Sequence, residues 1–167
     1  MQESEVTIRI LTVDDADAFR QIRLEALRLE PLAFASTLED WQVLPEAEWR
    51  RRLDVDPIFV AFHSGMPIGI MGLARQRASR MAHRATIIMV YVRKEHRGAG
   101  IASRLLRAVA EHAGNAGIKQ LELAVSDENL TARRFYVREG FAEIGVVPGG
   151  YIFDGREIDE VMMARRT

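Results

Sequence analysis

The chain has no cysteine, which excludes disulfides, zinc–thiolate centres and thiol nucleophiles and fits a reducing compartment. It has no surplus of either charge. Its 23 Lys and Arg against 24 Asp and Glu leave a net charge of −1, too little to draw a polyanion or an acidic bilayer by the overall field. No apolar run approaches the length that crosses a bilayer, and the opening MQESEVTIRI is polar and acidic, unlike a signal peptide. Repeats, low-complexity tracts and linkers are also missing, so the 167 residues read as a single domain, 1–167, with a sizeable core. The expectation is a cytoplasmic protein whose partners include no nucleic acid, no membrane and no metal.

What is present alternates between strand and helix patterns. VTIRILTV (6–13) alternates and is β-branched, which predicts a strand. In DDADAFRQIRLEALRLE (14–30), Phe19, Ile22, Ala26 and Leu29 share a helical face behind Asp14 or Asp15 as cap. STLEDWQ opens with a capping box from Ser36 to Glu39, and a second helical piece starts near Pro45. Two apolar runs flanking HSGMP predict a hairpin. TIIMVYV (86–92), apolar at almost every position, predicts a central strand covered on both faces.

A helix from about Gly100 to Ala113 would line up Ile101, Leu105, Ala108, Val109 and His112, ending at Gly114 or Gly117. LELAV is a short strand, and Asn129 caps a helix that Gly140 closes. FAEIGVV and EIDEVMMAR form a last strand pair around the turn-prone PGGYIFDG. This order predicts an α/β fold with a mixed central β-sheet flanked by helices and strand–helix–strand units in its second half.

The stretch VRKEHRGAGIASRLL contains the chemistry. Gly98 and Gly100 would turn the chain from strand into helix, which is a sufficient structural role for glycine. Gly100 also stands at a helix start, where unpaired amides and the positive end of the dipole favour an anion. Without side chains, both glycines would let phosphate oxygens reach those amides, with Arg97 and Lys94 alongside. Each charge-assisted hydrogen bond contributes about 1.5–3 kcal/mol, so three or four would dominate recognition of a diphosphate. A Walker loop does not fit, because Ile101 and Ala102 stand where Lys-Ser/Thr is required. A dinucleotide fingerprint fits poorly as well: GAGIAS ends in Ser103, and RKEHR intervenes after the strand.

RGAGIA, with Arg97, Gly100 and Ala102 at the marked positions, resembles the pyrophosphate loop Arg/Gln-x-x-Gly-x-Gly/Ala of the GNAT superfamily of N-acetyltransferases. Downstream, NLTARRFYVREGF (129–141) is similar to that family's second signature, and the expected helix and strand lie between the two. The resemblance covers almost the whole chain. It implies a GNAT-like domain that uses acetyl-CoA as co-substrate and transfers acetyl to a primary amine by direct attack through a tetrahedral intermediate. It further implies that the pantetheine arm pairs with the backbone of Val90, Tyr91 and Val92, and that an amide near Val90 or Tyr91 stabilises the oxyanion. The pyrophosphate would take the amides of Gly98, Ala99, Gly100, Ile101, Ala102 and Ser103, the Ser103 hydroxyl being an extra candidate donor.

Arg97 would contact the cofactor or brace its loop, and Asn129 would bond the cofactor arm or cap its helix. Arg133 and Arg134 are candidates for the nucleotide phosphates. Tyr136 matches the family's proton donor to the leaving thiolate, a phenol with an ordinary pKa of about 10 that stays protonated at neutral pH. No base is singled out: Glu122, His83, Glu39 and water are all candidates, and the position that aligns best with the acid of some relatives is Ala124.

The acceptor pocket is expected around Phe34 to Trp41 and PGGYIFDGREID, walled by Phe34, Trp41, Tyr151 and Phe153 with Glu39, Asp154 and Glu157 near an ammonium. The tail, DG followed by Asp159 and Met162 or Met163, resembles bacterial small-molecule members of that superfamily, which implies a small-molecule amine as acceptor. Alternatives are acetylation of protein amines and a non-catalytic acyl-CoA-binding sensor. A homodimer is compatible with the resemblance, although no residue marks an interface.

Overall fold

The computed structural model describes residues 5–167. Seven strands and five helices follow one another as β1 (Val6–Ile10), α1 (Ala16–Leu29), α2 (Leu38–Gln42), α3 (Glu46–Val55), β2 (Ile58–His63) and β3 (Met66–Arg75). β4 (Arg84–Val92), α4 (Ile101–Asn115), β5 (Gln120–Ser126), α5 (Leu130–Arg138), β6 (Ala142–Phe153) and β7 (Arg156–Arg166) complete the chain. The strands build one sheet in the order β1-β2-β3-β4-β5-β7-β6. Every neighbouring pair is antiparallel except β4 and β5, which run parallel with α4 as the crossover.

Strand alternation sends side chains to opposite faces and so divides the core in two. On one face Phe59 and Ala61 of β2 join Met71, Leu73 and Ile87 beneath Leu105, Leu106 and Val109 of α4. On the other, Ile58 and Val60 of the same strand join Ile70 and Tyr91 beneath Phe19, Ile22 and Ala26 of α1 and Trp41 and Trp49. α4 closes as its glycines predict: Gly117 takes φ +77° and the Ile118 amide donates to the Ala113 carbonyl at 2.9 Å.

Four local expectations need correction. The capping box runs from Thr37 to Asp40, one residue beyond Ser36–Glu39. The Asp40 amide donates to Thr37 Oγ1 (3.1 Å) and the Thr37 amide to Asp40 Oδ2 (2.9 Å), a register that buries Trp41. Asp15 occupies the cap position of α1, yet its carboxylate accepts from the Thr12 amide and from Arg9. Leu29 is 56% exposed, because the 3.6-residue period carries the buried stripe past it and places Arg23 and Leu27 in the core instead. PGGYIF belongs to β6: a register shift between Val147 and Tyr151 absorbs the proline and glycines, and the turn itself is Asp154–Gly155, both at positive φ.

Candidate active site

Around the parallel pair the sheet comes apart. β4 and β5 are in register only from Arg84–Thr86 against Gln120–Glu122. Beyond Thr86 the edge of β4 facing β5 is unpaired. Met89 takes φ +57°, and the register with β3 skips between Ile70 and Gly72, so a bulge bends β4 where the gap opens. The Arg93 amide donates to the Ile68 carbonyl at 2.8 Å on the β3 side. By alternation, the main-chain groups of Val92 and Val90 face the opening, whereas those of Tyr91 face β3. The Val92 carbonyl already accepts from Arg97 Nε at 2.8 Å.

Two cavities fill the gap. The larger, about 610 Å³, runs past Val90, Tyr91 and Val92 to Arg97, Gly98, Gly100, Ile101, Ala102 and Ser103. The smaller, about 400 Å³, lies between Met89, Ala124, Ser126 and Glu160 on the sheet side and Arg23, Phe34 and Trp41 on the helix side. Phe34, Val90, Asn129 and Tyr136 line both, so the cavities meet there. Each volume is in the range of a small-molecule site.

The loop at the mouth of α4 has free donors. Gly100 is the N-cap residue with φ +77°, Gly98 has φ +82°, and the first intrahelical bond is from the Arg104 amide to the Gly100 carbonyl. The six amides from Gly98 to Ser103 have no hydrogen-bond partner among the described residues. No atom lies within 4 Å of where a Cβ would stand on Gly98 or Gly100. Open space, consecutive unpaired amides and the helix dipole suit a diphosphate, so the residues fit coenzyme A. The Ser103 hydroxyl donates to Glu139. Arg97 ties the loop back through Val92 and through Glu30 (2.8 Å), which makes it a brace.

Asn129 does cap its helix: Oδ1 accepts from the Ala132 amide at 3.1 Å, while Nδ2 makes no hydrogen bond among the described residues. Tyr136 is 5% exposed and is held between Phe135 and Phe141 at ring distances of 5.2 and 5.6 Å. Burial pushes the phenol well above its ordinary pKa and keeps the proton on oxygen. Tyr91 is pushed up to about 12 by burial and by Glu25, with which its hydroxyl bonds at 3.1 Å on the α1 side.

Several candidates stand elsewhere. Glu122 is buried in a two-point pair with Arg84 (Nη2 at 2.7 Å) and also accepts from Gln120 (2.8 Å), which holds its carboxyl below the usual range. His83 precedes the paired end of β4, where its carbonyl accepts from the Lys119 amide at 2.7 Å. Neither of these, nor Glu39, lines either of the two cavities. Arg133 is committed to Glu143 and the Asp127 carbonyl, and neither it nor Arg134 lines the larger cavity. Of the expected acceptor wall, Phe34 and Trp41 line the smaller cavity; Tyr151, Phe153, Asp154 and Glu157 do not. Tyr151 instead donates to the Leu32 carbonyl.

A family model for the acetyltransferase (GNAT) family matches residues 18–141. The chain belongs to that family. It is similar to an N-acetyltransferase of Methanocaldococcus jannaschii, 32% identical over 147 residues covering 86% of this chain and 63% of that one. It thus spans less than two thirds of that relative's length. It is also similar to the L-amino acid N-acetyltransferase AaaT of Escherichia coli, 29% identical over 97% of this chain and 98% of the relative. Among solved structures, the GNAT-family acetyltransferase from Streptococcus pneumoniae superposes with a TM-score of 0.86 at 26% identity, covering 98% and 100% of the two chains.

Within this GNAT domain, the sequence reading missed Thr131 and Arg138, which line the larger cavity from α5, and Arg52, Asp56, Glu160 and Arg23 in the smaller one. Glu160 was legible only as an outward or inward position on a last strand. Arg23 lies on the buried stripe of α1, where an arginine breaks an apolar pattern, and that break was the available signal.

Proposed function

We propose that this GNAT-family chain transfers an acetyl group from acetyl-CoA to a primary amine on a small molecule. The observation that carries the reading is the meeting of two cavities at Val90, Asn129 and Tyr136, one leading to unpaired amides and one to a polar, aromatic pocket. The diphosphate would lie on the amides of Gly98 to Ser103, and the pantetheine arm along the open edge at Val90 and Val92. A thioester carbonyl placed at the junction is polarised by the Val90 amide.

The amine enters from the smaller cavity as an ammonium drawn by Glu160, which accepts a proton directly or through water. The nitrogen lone pair then forms the C–N bond on the thioester carbon. Collapse of the tetrahedral adduct breaks the C–S bond, the departing sulfur takes the Tyr136 hydroxyl proton, and solvent restores it. The remaining amine proton is lost to water. Burial keeps the phenol protonated at neutral pH, so a proton is in place when the sulfur departs. AaaT's name assigns it L-amino acids as acceptors, which supports a small molecule over a protein amine here.

The test is release of CoA thiol from acetyl-CoA by dialysed protein across a panel of small amines. Amine-dependent release is expected. Binding of acetyl-CoA by calorimetry with no release for any amine class would replace this reading by a non-catalytic acyl-CoA sensor.

A further inference from the structure

The smaller cavity is lined by a buried cation that no carboxylate pairs with among the described residues. Arg23 is 3% exposed, and its Nε and Nη1 are buried without a hydrogen-bond partner. It takes part in no ion pair among the described residues, whereas the half-buried Arg84, Arg93, Arg52 and Arg133 pair with Glu122, Glu25, Glu48 and Glu143. Burial, together with the like charge of Arg52, lowers its pKa to about 9. Asp56, on the same wall, faces Arg77, Arg51 and Arg52.

The guanidinium is clamped between aromatic rings, its carbon 4.8 Å from the centre of Phe34 and 4.4 Å from that of Trp41. A buried, rigid, unpaired guanidinium costs stability unless something supplies the missing acceptors. The planar fork matches a carboxylate at two points. Phe34 lines both cavities, so the ring beside the guanidinium also borders the junction where acetyl transfer is proposed. Across the cavity stands the carboxylate of Glu160.

We propose that Arg23 is the specificity-determining residue for an acceptor carboxylate adjacent to the reacting amine. The acceptor is then a free α-amino acid or close analogue, with its ammonium toward Glu160 and Tyr136 and its carboxylate on Arg23. A peptide N-terminus, which has an amide in that place, is excluded. The inference rests on the acetyl-transfer reading and adds a residue and a charge requirement to it.

The experiment compares CoA release for the twenty protein amino acids, each beside its methyl ester, and for the dipeptides carrying the best of them at the N-terminus. Wild-type protein is expected to prefer at least one free acid over its ester by more than tenfold in kcat/KM. Arg23→Gln should abolish that preference through KM for the acid, leaving KM for acetyl-CoA within twofold. Equal use of acid and ester by the wild type overturns the proposal, even if the variant does not fold. So does a preference that survives in Arg23→Gln, or turnover of dipeptides equal to that of free acids. Failure of every amino acid while acetyl-CoA binds and an amine without a carboxylate turns over overturns it too and leaves acetyl transfer standing. Loss of acetyl-CoA binding by the wild type would sink the underlying reading instead.

Discussion

Gly100→Ala separates the binding role of the α4 mouth from its structural one. Gly100 takes φ +77°, and its Cβ would meet no protein atom within 4 Å. Forcing alanine into the left-handed region costs about 1–2 kcal/mol, which in a domain of this size lowers Tm by roughly 2–8 °C. The new methyl would project into the space where six unpaired amides converge. Displacing a diphosphate enough to lose two of those bonds removes at least about 3 kcal/mol of binding, or roughly 100-fold in Kd. Gly117 supplies the control: it also has φ +77° and an empty Cβ position, but it lies at the opposite end of α4 and lines neither cavity. Calorimetric titration with acetyl-CoA, paired with thermal melts, should show similar Tm losses for Gly100→Ala and Gly117→Ala. Only the former should lose affinity. Equal Kd values for Gly100→Ala and wild type, or equal losses for both variants, would refute the assignment of those amides to the diphosphate.

Tyr136→Phe should leave Kd for acetyl-CoA unchanged and lower kcat by roughly 100-fold; equal turnover across the pH range would remove the proton donor. Glu122→Gln should leave kcat/KM unchanged while lowering Tm by roughly 2–4 °C at neutral pH. The Arg84 hydrogen bonds depress the folded pKa of Glu122, so its stabilisation is complete above the unfolded value of about 4.3 and disappears as pH falls through the folded value. The Tm gap between wild type and Glu122→Gln should therefore close in acid, and a selective loss of kcat would instead restore Glu122 as a base. Gly72→Ala should cost about 1–3 kcal/mol of stability and raise KM for acetyl-CoA, because its methyl would stand 2.9 Å from Ile88 Cγ1 and Met89 Cε behind the bulge. An unchanged melt would show that the bulge yields freely.

How much of this was legible depends on whether a residue acts through its neighbours in sequence or across the sheet. The loop proposed for the diphosphate is local: Gly98, Gly100 and the helix start are contiguous, so pattern alone located the unpaired amides. Tyr136 followed from a signature whose spacing is one helix, α5. The smaller cavity is built from α1, α2, α3, α5, β2, β4, β5 and β7, and nothing local announces that Arg23 and Glu160 line one space. Glu122 stayed one candidate base among several for a related reason. Strand periodicity correctly put it on a definite face, but its partner Arg84 lies 38 residues away, on the strand paired beside it. The long β6 was hidden by proline and glycines that usually break strands and here occupy a bulge.

The bulge at Met89 connects these levels. A regular β4 would keep hydrogen-bonding β5 along its length, and the gap containing both cavities would not exist. Met89 at φ +57° is a strained conformation for a residue with a side chain, with a cost on the order of 1–3 kcal/mol. Gly72, directly across on β3 in register with Ile88, is the position where any Cβ would collide with Ile88, Met89 and Ile58. The missing side chain on β3 therefore makes room for the side chains displaced on β4. The same displacement turns the Val90 main chain outward beside Tyr136. A local distortion that weakens one strand pairing thus lies beside the gap that the two cavities fill, and on the proposed reading it supplies both the polarising amide and the entrance for the acceptor, which gives the strain at Met89 a function.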